Sequence, residues 1–273
     1  MKKFEGLLFC TDLDGTLFNS RRTVSDENRE AIEYFKAEGG LFTFITGRPP
    51  VTAGAIFRAV QPNVPYGCSD GSAIWDPWRE EYVWVNYLSR DALELVRTVE
   101  RELPDIAIQP NTAHHIYFST NNHLMEGFRL VTGVPNLERH YEDVDEPLLK
   151  ILFVHPDGEK IRALAELLDS HPRASEFGFI RSEHSLYEIL PKGMSKGGAL
   201  RKMTELYGID PRRTIAIGDY DNDVSMLREA ALGIAVANAN KNAKAAADMI
   251  TVSNDEHAIA TVIGMLDRGE IVL

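Results

Sequence analysis

Short apolar runs alternate with amphipathic stretches at both ends of the chain. Leu7–Cys10 is an apolar run closed by Thr11-Asp12, the length and setting of a buried strand. Ser25 then offers a helix cap, with Asp26 and Glu27 in the first turn, where the helix dipole favours acids. Ala31, Ile32 and Phe35 keep helical spacing until Gly39-Gly40 ends it. Leu41–Ile45 is a second strand-like run, and Pro49-Pro50 suits a helix start near Val51. Strand, helix and strand with a crossover of about 30 residues form the unit of a parallel sheet.

The last third repeats the pattern. Ser195 to Tyr207, closed by Gly208, predicts a helix, and so do Val224–Ala230, Asn240–Ala247 and Glu256–Leu266. Strands are predicted at Thr214–Ile217, Gly233–Val236 and Met249–Val252. Such alternation predicts an α/β fold with a doubly wound, Rossmann-like parallel-sheet core.

The middle of the chain reads differently. Tyr82–Val85 alternates like a strand, and Ser89 caps a helix carrying Leu93, Val96 and Val99. Strands follow at Ile106–Ile108, Ile116–Phe118, Leu149–Val154, Phe177–Ile180 and Tyr187–Leu190, with one further helix over Lys160–Leu168. Several strands with two convincing helices predict an α+β unit. The expected organisation is a core made of residues 1–85 and 190–273, with a domain of residues 86–189 inserted into it.

Composition narrows the partners. The 273 residues allow one large domain or two modest ones. Lys plus Arg is 29 and Asp plus Glu is 41, a net charge of −12, which argues against a nucleic-acid partner. The densest basic runs are Arg21-Arg22 and Arg212-Arg213, too sparse for an anionic membrane surface. Cys10 and Cys68 exclude a disulfide framework. Asp12 interrupts the first apolar run, and no window of about 20 residues is free of charge, so neither a signal core nor a spanning helix is expected. A soluble cytoplasmic protein is the expectation.

In an open parallel sheet, function gathers at the carboxyl ends of the strands. Four such ends carry reactive side chains: Asp12-Leu13-Asp14-Gly15-Thr16, Thr46-Gly47-Arg48, Ser69-Asp70-Gly71 and Gly218-Asp219-Tyr220-Asp221-Asn222-Asp223. Asp12 and Asp14 repel each other unless a cation lies between them or one is protonated. The 218–223 loop adds three carboxylates and an amide, a set of hard oxygen ligands that suits Mg²⁺ with a substrate phosphate. Each piece taken alone also has a plain structural use: an Asp-Gly turn, or acids at a helix start. Thr46 adds a hydroxyl, Gly47 room for backbone N–H groups, and Arg48 a charge. Lys196 brings a second charge, and Gly197-Gly198 leaves backbone open at a helix start. Together they offer the set that phosphoryl transfer needs.

In order and type, these residues closely resemble the haloacid dehalogenase-like hydrolase superfamily. The resemblance covers Asp12-x-Asp14-Gly15-Thr16-Leu17, Thr46-Gly47-Arg48, Lys196 and Gly218-Asp219-x-x-Asn222-Asp223. The stretch Pro191-Lys192-Gly193-Met194-Ser195-Lys196-Gly197 is similar to the Cof-type branch, subfamily IIB, which carries an inserted α/β cap of the C2 type. The resemblance implies Asp12 as nucleophile and Asp14 as general acid and then base. It implies Thr46 and Lys196 holding phosphoryl oxygens, with Gly47, Arg48 and Asn222 also toward the substrate. Mg²⁺ is implied at the Asp12 carboxylate, the Asp14 backbone carbonyl and Asp219, with Asp223 completing and orienting that shell. Asp70-Gly71 departs from the Asn-Gly common in the branch: facing the site, the extra carboxylate would select a cationic or hydroxyl-rich substrate, and an ordinary turn is the simpler account of it.

The expected activity is hydrolysis of a small phosphorylated metabolite, a sugar phosphate first, through an aspartyl-phosphate. A phosphomutase shares the same chemistry, and a receiver-type phosphoacceptor module uses similar residues without an inserted cap. Candidate cap contacts are His114, His115, His123, Arg129, Arg181 and Glu188, each also explicable as a surface or structural residue. His114 and His115 are adjacent, and adjacent strand residues face opposite sides, which argues against a shared metal. Asp12, Asp14, Asp219, Asp221 and Asp223 are expected to gather near one metal site.

Overall fold

The computed structural model describes residues 2–273, with the backbone alone for 53–56 and 58. The chain divides into two compact units. The first holds the residues up to Gly47, Gly54–Trp84 and Ser195–Leu273; the second holds Arg48–Ala53 and Val85–Met194.

In the first unit, five strands form a parallel sheet in the order Met249–Ile250, Leu232–Ala235, Thr214–Gly218, Leu8–Thr11, Leu41–Phe44. Leu8–Thr11 pairs in register with Thr214–Ile217 on one side and Leu41–Phe44 on the other. Chain order therefore runs outward in both directions from this central pair. Right-handed crossovers in opposite directions put their helices on opposite faces, so both sides of the sheet are covered. Its strands are accordingly mostly apolar: Leu8, Phe9, Cys10, Phe42, Phe44, Ile215, Ile217 and Ile234 are fully buried.

The local signals explain the helices. Ser25 accepts the Asn28 N–H at the start of Asp26–Ala37. Phe35 on that helix is fully buried, stacked 4.9 Å from Phe4 and edge-on 5.9 Å from Phe9. Burying such a ring is worth roughly 2–3 kcal/mol. Ser195 caps Lys196–Tyr207, and Gly208 ends it in the left-handed conformation. A bridge from Ile45 to Gly67 leads to the antiparallel strands Tyr66–Cys68, Ala73–Asp76 and Glu81–Val85. Asp76 turns the Trp75–Trp78 segment by accepting the N–H groups of Trp78 and Arg79, and Trp75 meets Tyr82 at 4.8 Å.

The second unit is built on an antiparallel sheet in the order Phe177–Glu183, Leu186–Pro191, Leu148–Val154, Ala107–Thr112. Ile151, Phe153 and Ile189 join Val96, Val99, Ile161 and Leu164 of helices Leu93–Glu102 and Gly158–Asp169 in one core. Ala107 and Val154 join Ile116, Phe118 and Met125 in another. Met125 belongs to a helix, His123–Thr132, beyond the two that the sequence predicts for this unit. Its signals are present: Asn122 accepts the N–H groups of Leu124 and Met125, and Gly133 closes it at φ 71°. Exposed Leu130 and Val131 blur its apolar stripe, which hides the period.

His114 and His115 also differ from expectation. They sit in a turn after Ala107–Thr112, not in a strand. The Thr112 hydroxyl bonds the His115 carbonyl, and the His115 ring pairs with Glu146 at 2.8 Å.

Candidate active site

The two central strands of the parallel sheet both end in carboxylates. The Asp12 N–H continues the ladder to Ile217 O at 2.9 Å, which fixes where the first side chain leaves the sheet. The chain then turns tightly, and the Phe18 N–H reaches back to Leu13 O. Gly15 makes this possible at φ 81°. A Cβ there would lie 2.5 Å from Asp219 Oδ2, so the two loops touch at this point. Thr16 adds a hydroxyl bond to Asp219 Oδ1 at 3.0 Å.

Lys196 ties the loops together. Its ammonium donates to Asp12 Oδ1 at 2.5 Å and Asp223 Oδ1 at 2.6 Å, and all three residues are buried. Asp223 Oδ2 accepts the backbone N–H groups of Asp219 and Tyr220 at 2.9 and 3.0 Å. One carboxylate thus shapes the 218–223 loop and positions the lysine. Burial works against the charge on Lys196, yet Asp12, Asp223 and Asp70 outweigh it and raise its pKa.

The acids feel the opposite pressure. Burial pushes Asp12 well up, Lys196 opposes this, and Asp223 and Asp219 push it further. Asp219 is pushed up to about 7, first by burial and then by Asp223. Asp14, half-buried, is near enough to add to that push. Ligand oxygens of Asp12, Asp219 and Asp223 lie within 4.8 Å of one another. The site carries more negative charge than Lys196 offsets. A hard divalent cation fits both the oxygen donors and that deficit.

Thr46 is buried at the end of the strand beside Asp12, and its N–H bonds Gly67 O. Its carbonyl accepts the Asp70 N–H at 3.1 Å. Asn222 is buried and donates to Asp70 Oδ1 at 2.9 Å. Gly47 lies against Asp70: a Cβ there would come 2.8 Å from Asp70 Oδ2. Arg48 falls in the segment Arg48–Ala53 of the second unit.

Three expectations need correction. The Gly197 and Gly198 N–H groups are not open to an anion, since Ser225 Oγ and Ser195 Oγ take them. Asp221 does not join the acidic cluster; it accepts the amides of Asn240 and Asn242 at 2.9 and 2.8 Å. Residues of a tight turn point different ways, so a place two positions from Asp219 did not bring it in. Asp70 is no ordinary turn residue, because it is fully buried among site residues. Among the candidates in the second unit, Glu188 is buried in an ion pair with Lys150 at 2.5 Å, and Arg181 bonds the backbone carbonyls of Glu183 and His184. His123 opens the helix that also carries Arg129.

Comparison with known proteins agrees with this geometry. Residues 9–263 match the family model of haloacid dehalogenase-like hydrolases. The chain is similar to the putative phosphatase YxeH of Bacillus subtilis, 30% identical over 274 residues, covering 94% of this chain and 96% of that one. It is also similar to the 5-amino-6-(5-phospho-D-ribitylamino)uracil phosphatase YitU of Bacillus subtilis, 27% identical over 262 residues, with 93% and 94% covered. Its fold matches the solved structure of the HAD subclass IIB sugar phosphatase BT4131 at a TM-score of 0.83 and 22% identity, covering 97% of this chain and all of that one (100%). The chain belongs to the haloacid dehalogenase-like hydrolases, in their Cof-type phosphatase branch.

Proposed function

We propose that this chain is a Mg²⁺-dependent phosphatase that hydrolyses a small phosphorylated metabolite, a sugar phosphate or similar polyol ester, through an aspartyl-phosphate on Asp12. The observation that carries this is Lys196, held between Asp12 and Asp223, two of a cluster of three carboxylates that Asp219 completes. The names of the ribitylaminouracil and sugar phosphatases among its relatives and fold neighbours support the substrate class.

Asp12 Oδ attacks phosphorus, and the bond from phosphorus to the ester oxygen breaks. Asp14 gives its proton to that leaving oxygen. Water then attacks the phosphorus of the aspartyl-phosphate, Asp14 takes the water's proton, and the Asp12–phosphorus bond breaks to release phosphate. Thr46 and Lys196 bind phosphoryl oxygens, with Gly47, Arg48 and Asn222 also on the substrate side. Asp12, Asp219, the Asp14 carbonyl and Asp223 are the group that would hold Mg²⁺. The cation would offset the repulsion between a carboxylate nucleophile and a phosphate dianion.

The second unit is, in this reading, the inserted cap that selects the leaving group. We place the enzyme in the cytoplasm; neither Cys10 nor Cys68 is in a disulfide, and no helix among the described residues is long and apolar enough to cross a membrane.

A panel of phosphorylated sugars, polyols and cofactors, assayed for phosphate release with and without Mg²⁺, tests the proposal. A preferred ester with kcat/KM of about 10⁴ M⁻¹s⁻¹ or more is expected. Isomerisation primed by a bisphosphate, with little phosphate release, would make the chain a phosphomutase instead.

A further inference from the structure

Ser69, Asp70 and Gly71 follow one another at φ 49°, 52° and 90°. Left-handed backbone is easy for glycine, tolerable for Asn and Asp, and rare elsewhere. Such outliers persist where the surrounding structure holds them. Here the turn is pinned on several sides. Its Asp70 N–H bonds Thr46 O, and a Cβ on Gly71 would sit 2.0 Å from Ser195 O, at the start of the Lys196 helix.

The Asp70 side chain is fully buried. A left-handed turn alone needs no carboxylate, because Gly or Asn fits it without the cost of burying a charge. Asp70 Oδ1 instead accepts the Asn222 amide across 152 positions of sequence. The same carboxylate is the third acid acting on Lys196.

We propose that Asp70 is a positioning residue for phosphoryl transfer: its carboxylate, fixed by the left-handed turn, holds the Asn222 amide and with it the 219–223 loop in register with the Thr46 and Lys196 elements. This role rests on the phosphatase reading above. Asp70 touches no reacting atom in this account; it acts through Asn222.

The test is a double-mutant cycle on the best substrate of the wild-type enzyme, with kcat, KM and melting temperature all measured. Asp70→Gly removes the carboxylate at a backbone angle glycine accepts, and Asn222→Ala removes its donor. Each should lower kcat by about tenfold to a hundredfold, the scale of one hydrogen bond to a charged group. The double variant should be no slower than the worse single one. Asp70→Asn keeps an acceptor in a left-handed residue and should return kcat to within about threefold of wild type. If circular dichroism shows Asp70→Gly unfolded, Asp70→Ser, too short to reach Asn222, replaces it. Losses that multiply in the double variant, or an Asp70→Asn enzyme as slow as Asp70→Gly, overturn the role while leaving the phosphatase reading intact. A wild-type chain that releases phosphate from no ester overturns both.

Discussion

The carboxylate of Asp223 and the ammonium of Lys196 meet at 2.6 Å in a fully buried contact, while the other Asp223 oxygen holds two backbone N–H groups of its own loop. A single side chain therefore fixes both a loop shape and a lysine position.

Asp223→Asn should damage stability and rate together. It leaves Lys196 with a weaker partner in a dry site, and breaking a buried pair costs about 3–5 kcal/mol when a charge is stranded. Asp12 still pairs with Lys196, so a loss near the lower end is expected. Chemical denaturation of the variant measures it; an unchanged midpoint would contradict the pairing.

Asp12→Asn should abolish turnover with the fold kept. The substitution is nearly isosteric and leaves an acceptor for Lys196. Acid-quenched enzyme should carry phosphate in the wild type and none in the variant. Steady phosphate release by a clean Asp12→Asn preparation would sink the nucleophile assignment.

Removing divalent metal should stop turnover, and Mg²⁺ should restore it. Mg²⁺ should also raise the melting temperature, because a ligand that binds only the folded state stabilises it by mass action. Asp219→Asn should bind Mg²⁺ more weakly and shrink that rise. Equal rises in both proteins would remove Asp219 from the ligand set.

Glu146, in the second unit, offers a pH test of stability. Burial pushes its pKa up, but the Thr112 and Tyr117 hydroxyls and the His115 ring outweigh this and bring it down to about 2 from 4.5. A depressed acid stabilises the fold above its unfolded pKa and loses that contribution as pH falls through its folded value. Wild-type stability should thus fall between pH 4.5 and about 2 more steeply than that of Glu146→Gln. Parallel pH profiles of the two proteins would refute the linkage.

Much of the molecule is legible in one dimension. The strand ends Thr11-Asp12 and Gly218-Asp219 are visible because a short apolar run that stops at polar residues is the mark of a strand leaving a buried sheet. The Ser25 cap and the Gly208 stop are readable because capping is local chemistry. His123–Thr132 escapes because its outward Leu130 and Val131 break the polar side of its pattern. Asp70 is undervalued for a different reason: an Asp-Gly pair looks the same whether its carboxylate meets water or Asn222.

Local pattern is enough to mark candidate site residues and the elements that present them, since periodicity, caps and residue type are properties of neighbouring positions. Which of those residues meet is a matter of packing in three dimensions. The parallel register of Leu8–Thr11 with Thr214–Ile217 brings Asp12 beside Asp219 and Asp223. Packing at Gly71 and Ser195 sets Asp70 near Lys196, and turn geometry sends Asp221 away to Asn240 and Asn242. The Lys196–Asp12 and Asn222–Asp70 contacts span 184 and 152 positions, and at that range burial and close packing select partners that no local pattern encodes.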